Sequence, residues 1–177
     1  LYVRASSIQT VSRAFTLSVS PDAESVDKLF EFRQGLESEA TRLAAQRRTE
    51  EHLRDMANAL AIVDLANEDD DWDSFGEVDI RFHRLIADAS ANPYLQVAIA
   101  AARDMQLDVV NLFAERAGSM REAMTHHYQI LDAIRDGDAA RAAGAMAGHI
   151  RYTSGVVQLQ IPPTQPLPAS DREGAAP

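Results

Sequence analysis

Residues 75–86 read FGEVDIRFHRLI, and the apolar positions in that stretch recur at steps of three and four. Phe75, Val78, Phe82 and Ile86 fall on one side of a helix, and Asp79 and His83 fall on the same side, four residues apart. A half-buried strand would alternate every residue, so the period specifies a helix. An apolar stripe is the face a helix buries. This helix therefore carries a carboxylate and an imidazole inward, and each would cost on the order of a few kcal/mol if left without a partner. An i, i+4 pair of this kind is also a recurrent way for one helix to offer a metal ion two ligands.

The helical period continues on both sides of that stretch. A helix from about Trp72 to Ala89 is preceded by Glu68-Asp69-Asp70-Asp71, whose charge suits a helix N-terminus. Runs of consecutive acids are usually solvated or capping rather than metal-binding. Asn92-Pro93 then breaks the pattern, and Pro93 opens a fourth helix to about Ala117 with the stripe Leu95, Ile99, Ala102, Met105, Val109 and Leu112/Phe113. Upstream, Val26, Leu29, Phe30, Arg33, Leu36, Glu37, Ala40, Leu43 and Ala44 make one long amphipathic helix after Pro21. Thr49, followed by Glu50, Glu51 and His52, reads as the cap of a second helix ending near Asn67. Downstream, Gly118-Ser119 marks a stop and a cap, a fifth helix ends at Asp136-Gly137-Asp138, and a sixth runs from about Ala139 to Gln158. No sheet-like alternation interrupts residues 22 to 160, so the expected fold is an all-α bundle.

Two of these later helices also carry inward donors. Ala123, His127, Ile130, Leu131 and Ile134 share a face of the fifth, with His126 turned about one residue away; Ala139, Ala142, Met146, His149 or Ile150, and Thr153 track the core in the sixth. A single inward histidine is more often a hydrogen-bonded core residue than a ligand, and Asp79 alone suits a buried cap or an arginine partner. Asp79, His83, His127 and His149 together, on three inward faces, point instead to a bound metal ion. His52 and His126 read as surface histidines.

Composition bounds the remaining possibilities. The 177 residues hold 17 Lys+Arg against 27 Asp+Glu, a formal charge of -10, which is the wrong sign for a nucleic-acid-binding surface. With no cysteine there is no disulfide, thiolate catalysis or Cys-type zinc site. No apolar run reaches the length of a membrane span and no signal peptide is visible. Leu1-Tyr2-Val3-Arg4 and the Ser/Thr-rich stretch that follows read as the end of an upstream domain and its linker over residues 1–21. The proline-rich segment from Pro162 belongs to a tail, residues 161–177, expected to be disordered.

Several separated motifs resemble one known family. They are Asp79-Ile80-Arg81-Phe82-His83, then Asn92-Pro93-Tyr94-Leu95, then His127-Tyr128-Gln129-Ile130-Leu131-Asp132-Ala133-Ile134 with Gly137-Asp138 and Ala142, then Met146-Ala147-Gly148-His149-Ile150. With Arg33, Leu36, Glu37, Ala40 and Leu43-Ala44-Ala45 in the first helix, they are similar to the FCD domain, the C-terminal effector-binding domain of FadR-subfamily GntR transcription regulators. The resemblance covers roughly residues 22 to 155. It implies an antiparallel bundle of six or seven helices enclosing a metal and ligand cavity over residues 22–160, with Asp79, His83, His127 and His149 as the metal ligands. Such a ligand set suits Zn²⁺, the leading expectation, or Ni²⁺, Mn²⁺ or Fe²⁺. The resemblance also implies a cytoplasmic homodimer that senses a small organic acid. The acid would reach the ion through its carboxylate, with Arg33 assisting, unless Arg33 simply pairs with Glu37 one turn away. DNA would be read only through an upstream winged helix, of which Leu1-Tyr2-Val3-Arg4 would be the last strand. On this reading the chain is a regulator and not an enzyme. A metal-dependent hydrolase or transferase using a metal-bound water is the alternative, although Glu115 and Glu122 are not obviously inward as its general base; a metal-free dimerisation module is the third.

Overall fold

The structure is a computed structural model, which describes residues 23–63, 72–113 and 120–160, with side chains described over 24–63, 75–106 and 120–160. Six helices and no strand occur among the described residues: α1 Ala23–Arg47, α2 Glu50–Leu60, α3 Trp72–Ala89, α4 Pro93–Phe113, α5 Met120–Asp136 and α6 Ala139–Gln158. They form an antiparallel all-α bundle. The 25-residue α1 is its axis: it lies most extensively along α6 and also touches α3, α4 and α5, while α2 bridges α3 and α5.

The ends of the helices follow from local chemistry. Thr49 caps α2, its Oγ1 accepting from the His52 backbone N–H at 3.3 Å while His52 Nδ1 accepts from the Thr49 N–H at 3.2 Å. The exchange is a capping box with histidine in the place of the usual Glu or Gln, so His52 is half-buried and employed rather than a free surface group. Asn92 Oδ1 accepts from the N–H groups of Tyr94 and Leu95 at the start of α4. At the other end of the bundle Gly137 takes φ +73°, its N–H bonding Ile134 O at 3.0 Å and the next N–H, of Asp138, bonding Ala133 O at 3.1 Å. This paired closure is a Schellman motif. The Asp138 carboxylate then caps α6 by accepting from Arg141 N–H at 3.0 Å, so α5 and α6 are joined by one reversal.

The interior side of the bundle is filled by Phe30, Met56, Leu60, Phe82, Ile86, Met120, Met124, Ile130, Ile134, Met146 and Ile150, all in one contiguous cluster. Each such side chain contributes about 1.5–3 kcal/mol on leaving water, and the four methionines adapt to irregular gaps between the helices. Into this apolar setting α1 brings Arg33 and Glu37, 0% and 1% exposed. They occupy the buried stripe between Phe30 and Ala40.

Two further sequence expectations are adjusted. The second helix ends at Leu60 rather than near Asn67: the chain turns at Ala61, leaving Ile62 exposed and seating Val63 in the core cluster. Ala117, the expected end of the fourth helix, Glu115, the Gly118-Ser119 stop and the acidic run 68–71 lie outside the described residues, as do residues 1–22 and the tail 161–177. His126 is half-buried, its ring 5.2 Å from that of Tyr152. No helix among the described residues is long and apolar enough to cross a membrane.

Candidate metal centre

The stripe of α3 delivers Asp79 and His83 to the centre of the bundle, and α5 and α6 bring His127 and His149 to meet them. One ligand atom from each of the four lies within 4.8 Å of the other three. Around Asp79 Oδ1 stand His127 Nε2 at 3.1 Å, His83 Nε2 at 3.5 Å and His149 Nε2 at 4.0 Å, and the Nε2 atoms of His83 and His149 are 3.2 Å apart. Ligands sharing one ion at about 2.1 Å sit about 3–4 Å from each other, so these separations match a common coordination sphere. The three imidazoles are 0–2% exposed, whereas the Asp79 side chain keeps 16% of its surface.

Within the cluster His83 Nε2 and His149 Nε2 are within hydrogen-bond distance of each other, whereas His127 is left without a hydrogen-bond partner. His127 Nε2 approaches Asp79 to 3.1 Å without the alignment of a hydrogen bond, and neither of its ring nitrogens makes one. His149 Nδ1 is likewise buried without a hydrogen bond. Buried polar atoms in native proteins are nearly always partnered, and a metal ion held by the four side chains would satisfy His127 Nε2 directly. The residues therefore fit a divalent ion.

Two further charged pairs enclose the cluster. Glu37 on α1 places Oε1 2.8 Å from Arg33 Nε and Oε2 in direct hydrogen bond with His83 Nδ1. Arg103 on α4, 2% exposed, donates through Nη2 to Asp79 Oδ2 and through Nη1 to Gln106 Oε1 at 2.8 Å. Arg103 thus occupies one oxygen of Asp79 and leaves Oδ1 toward the imidazoles.

Electrostatics in this enclosure follow from burial and neighbours. Burial alone would raise the Glu37 carboxyl, but Arg33, His83 and Arg103 outweigh it and hold the group well below the ordinary carboxylate range. Arg103 is pushed down to about 9, first by burial and then by Arg33, with Glu37 opposing. His127 and His149 are both held well below the usual imidazole value, again by burial first and then by neighbouring His83, His127 and Arg103. Both rings are therefore neutral at pH 7, the form a metal requires.

Arg33 makes the pair with Glu37 that was one of its two sequence readings. Its Nε pairs with Glu37, and its guanidinium carbon lies 5.2 Å from the Phe30 ring centroid, yet Nη1 and Nη2 are buried without hydrogen-bond partners. The residues that sequence reasoning did not assign to the centre are Glu37 as a partner of His83, and Arg103 as a partner of Asp79. A guanidinium flanked by Ala102 and Met105 on the apolar stripe of α4 was the available signal for the second.

A family model described as the FCD domain matches residues 28–152. Among characterised proteins the chain is similar to the HTH-type transcriptional regulator LutR of Bacillus subtilis (strain 168), 26% identical over 162 residues, which covers 88% of this chain and 73% of LutR. It is similar also to the galactonate operon transcriptional repressor of Escherichia coli (strain K12), 31% identical over 125 residues, covering 69% of this chain and 54% of the repressor. The fold is shared with Streptococcus agalactiae GntR, at TM-score 0.65 and 22% identity over 80% of this chain and 63% of that one. It is shared as well with E. coli McbR/YncC, at TM-score 0.70 and 20% identity over 77% and 69%.

Proposed function

The chain belongs to the FCD-domain family, and from that premise we propose that it is the metal-dependent, ligand-sensing and dimerising part of a GntR-type bacterial transcription regulator. The observation that carries the proposal is the convergence of Asp79, His83, His127 and His149 from three helices in the interior. Asp79 and the three imidazoles would hold the ion, with Zn²⁺ the first expectation and Ni²⁺, Mn²⁺ or Fe²⁺ compatible with the same donors. When bound, the ion supplies a Lewis-acidic docking point for an oxygen ligand.

Charge supports an anion as that ligand. The buried guanidiniums of Arg33 and Arg103 balance the carboxylates of Glu37 and Asp79, so a divalent ion adds positive charge that the enclosure does not neutralise. An organic acid compensates it, and the unpartnered Nη1 and Nη2 of Arg33 match a carboxylate as two parallel donors. Because one relative is named for the galactonate operon, hydroxylated sugar acids are the first class to test. Ligand occupancy would then favour one arrangement of a homodimer and so set the spacing of two upstream winged-helix domains on operator DNA. Such a regulator works in the cytoplasm. The reading as a metal-dependent hydrolase or transferase gives way because the relatives are a transcriptional regulator and a transcriptional repressor.

The test is a thermal-shift screen of sugar acids and hydroxy acids on metal-loaded protein, alongside metal analysis. The expected result is about one ion per chain, lost in His127→Ala, and an acid-dependent rise in Tm that disappears in Arg33→Ala and in chelator-treated protein. Metal content unchanged by His127→Ala would overturn the assignment of the centre.

A further inference from the structure

We infer that Glu37 is a positioning residue for the metal centre: by accepting a hydrogen bond from His83 Nδ1 it fixes the His83 tautomer that presents an unprotonated Nε2 to the ion. The inference deepens the proposed metal-sensing function and rests on it. Glu37 stands on α1, which contributes none of the four ligand side chains, and reaches His83 across the helix interface with its side chain only 2% exposed.

Acceptor counting makes the argument. One oxygen of Glu37 takes Arg33 Nε–H and the other faces His83 Nδ1. An ionised carboxylate has no proton to give, so both neighbours must donate to it. A neutral imidazole carries a single N–H, and if that proton sits on Nδ1 the lone pair is left on Nε2. His83 Nε2 is the atom that faces the cluster, 3.5 Å from Asp79 Oδ1 and 3.2 Å from His149 Nε2. A carboxylate behind a ligand histidine both orients the ring and raises its basicity toward the ion. Since Arg33 Nε bonds the same carboxylate, the guanidinium proposed for the effector and the imidazole proposed for the ion are joined through one side chain.

Glutamine at this position retains the shape but has one acceptor where two are needed. If its oxygen stays with Arg33, its NH₂ meets His83 Nδ1, which must then accept, and the ring proton moves to Nε2 where it blocks the ion. The experiment begins with unmodified protein, ¹⁵N-labelled and stripped with a chelator, in which histidine ring nitrogens report their tautomers by NMR. His83 is expected as the Nδ1–H form, and finding it as Nε2–H overturns the inference without recourse to any variant. Zn²⁺ affinity is then measured by chelator competition in wild type, Glu37→Gln, and the double variant Arg33→Met with Glu37→Leu, which removes both buried charges and the acceptor of His83 Nδ1–H at once. Both variants are expected to bind about 10–100-fold more weakly than wild type, with His83 shifted toward Nε2–H in Glu37→Gln and no longer held as Nδ1–H in the double variant. Wild-type affinity in the folded double variant overturns the role of Glu37. Failure of the wild-type protein to bind any divalent ion strikes instead at the proposed function itself, which keeps the two outcomes apart.

Discussion

Stripped of metal, the domain is expected to lose stability steeply between pH 7 and pH 5.5. His127 and His149 are held well below the ordinary 6.5, burial being the largest cause for each. In the unfolded chain both rings return to about 6.5. As the pH falls through that value the unfolded chain takes up protons that the native state refuses, so the equilibrium shifts toward unfolding. A depressed folded-state value therefore contributes stability that is complete above about pH 6.5 and is lost progressively below it, down to the folded-state value. Each refused proton changes the free energy by about 1.4 kcal/mol per pH unit once the unfolded ring is charged. From pH 7 to 5.5 one such histidine costs slightly more than about 1 kcal/mol, and the two together about 2–3 kcal/mol. That is a large share of the roughly 5–15 kcal/mol that holds a domain together. Glu37 does not enter this window: its carboxyl is also depressed, and its contribution is lost only below its ordinary 4.5.

Urea denaturation followed by far-UV circular dichroism, at half-unit intervals of pH in the presence of chelator, reads the effect as a falling midpoint. His149→Gln is expected to remove about half of the pH slope attributable to the pair, since it deletes one of two refused protons. A midpoint that stays level from pH 7 to 5.5, or a slope that His149→Gln leaves intact, would refute the reasoning that these rings are forced neutral by burial.

Asp79→Asn removes the charge that faces the buried guanidinium of Arg103, and loss of one member of a buried pair costs about 3–5 kcal/mol; urea denaturation of stripped protein should show this deficit. Saturating the centre with Zn²⁺ at about a hundredfold above its Kd should stabilise the native state by about 2.7 kcal/mol, seen as a Tm that drops when chelator is added and that no longer responds in His127→Ala. Gly137→Ala forces a side chain into φ +73° and should cost about 1–2 kcal/mol, measured by thermal melting. Thr49→Ala deletes the acceptor of the His52 N–H and is expected to cost about 1 kcal/mol without altering metal content.

Much of this arrangement was legible in local spacing because local spacing is what builds it. The step of three and four through Phe75, Val78, Phe82 and Ile86 fixes which side of α3 is inward, and Asp79 and His83 follow by lying on that side. The caps at Thr49 and Asp138 and the left-handed Gly137 are likewise decided by atoms within six residues of each other. The early end of α2 was not legible, since the period alone does not register the turn that carries Val63 back to the core.

The charged shell around the four donors escapes the same reasoning for a physical cause. Glu37 lies four residues from Arg33, and that neighbour alone is a sufficient local account of it; its second partner, His83, is 46 residues further along the chain. Arg103 meets Asp79 across 24 residues. A buried guanidinium is tolerable only where an opposite charge arrives from a facing helix, so the position of Arg103 between Ala102 and Met105 carries a demand that no residue of α4 close in sequence is required to meet. The demand itself is visible in one dimension: on α1 the apolar stripe is interrupted by both an Arg and a Glu at inward phase, and on α4 by an Arg. Charges at inward phase require partners from other helices, and the inward carboxylate and imidazole of α3 require them too. Matching those two sets of unmet requirements is what joins α1, α3 and α4 at one centre, with α5 and α6 completing it through His127 and His149.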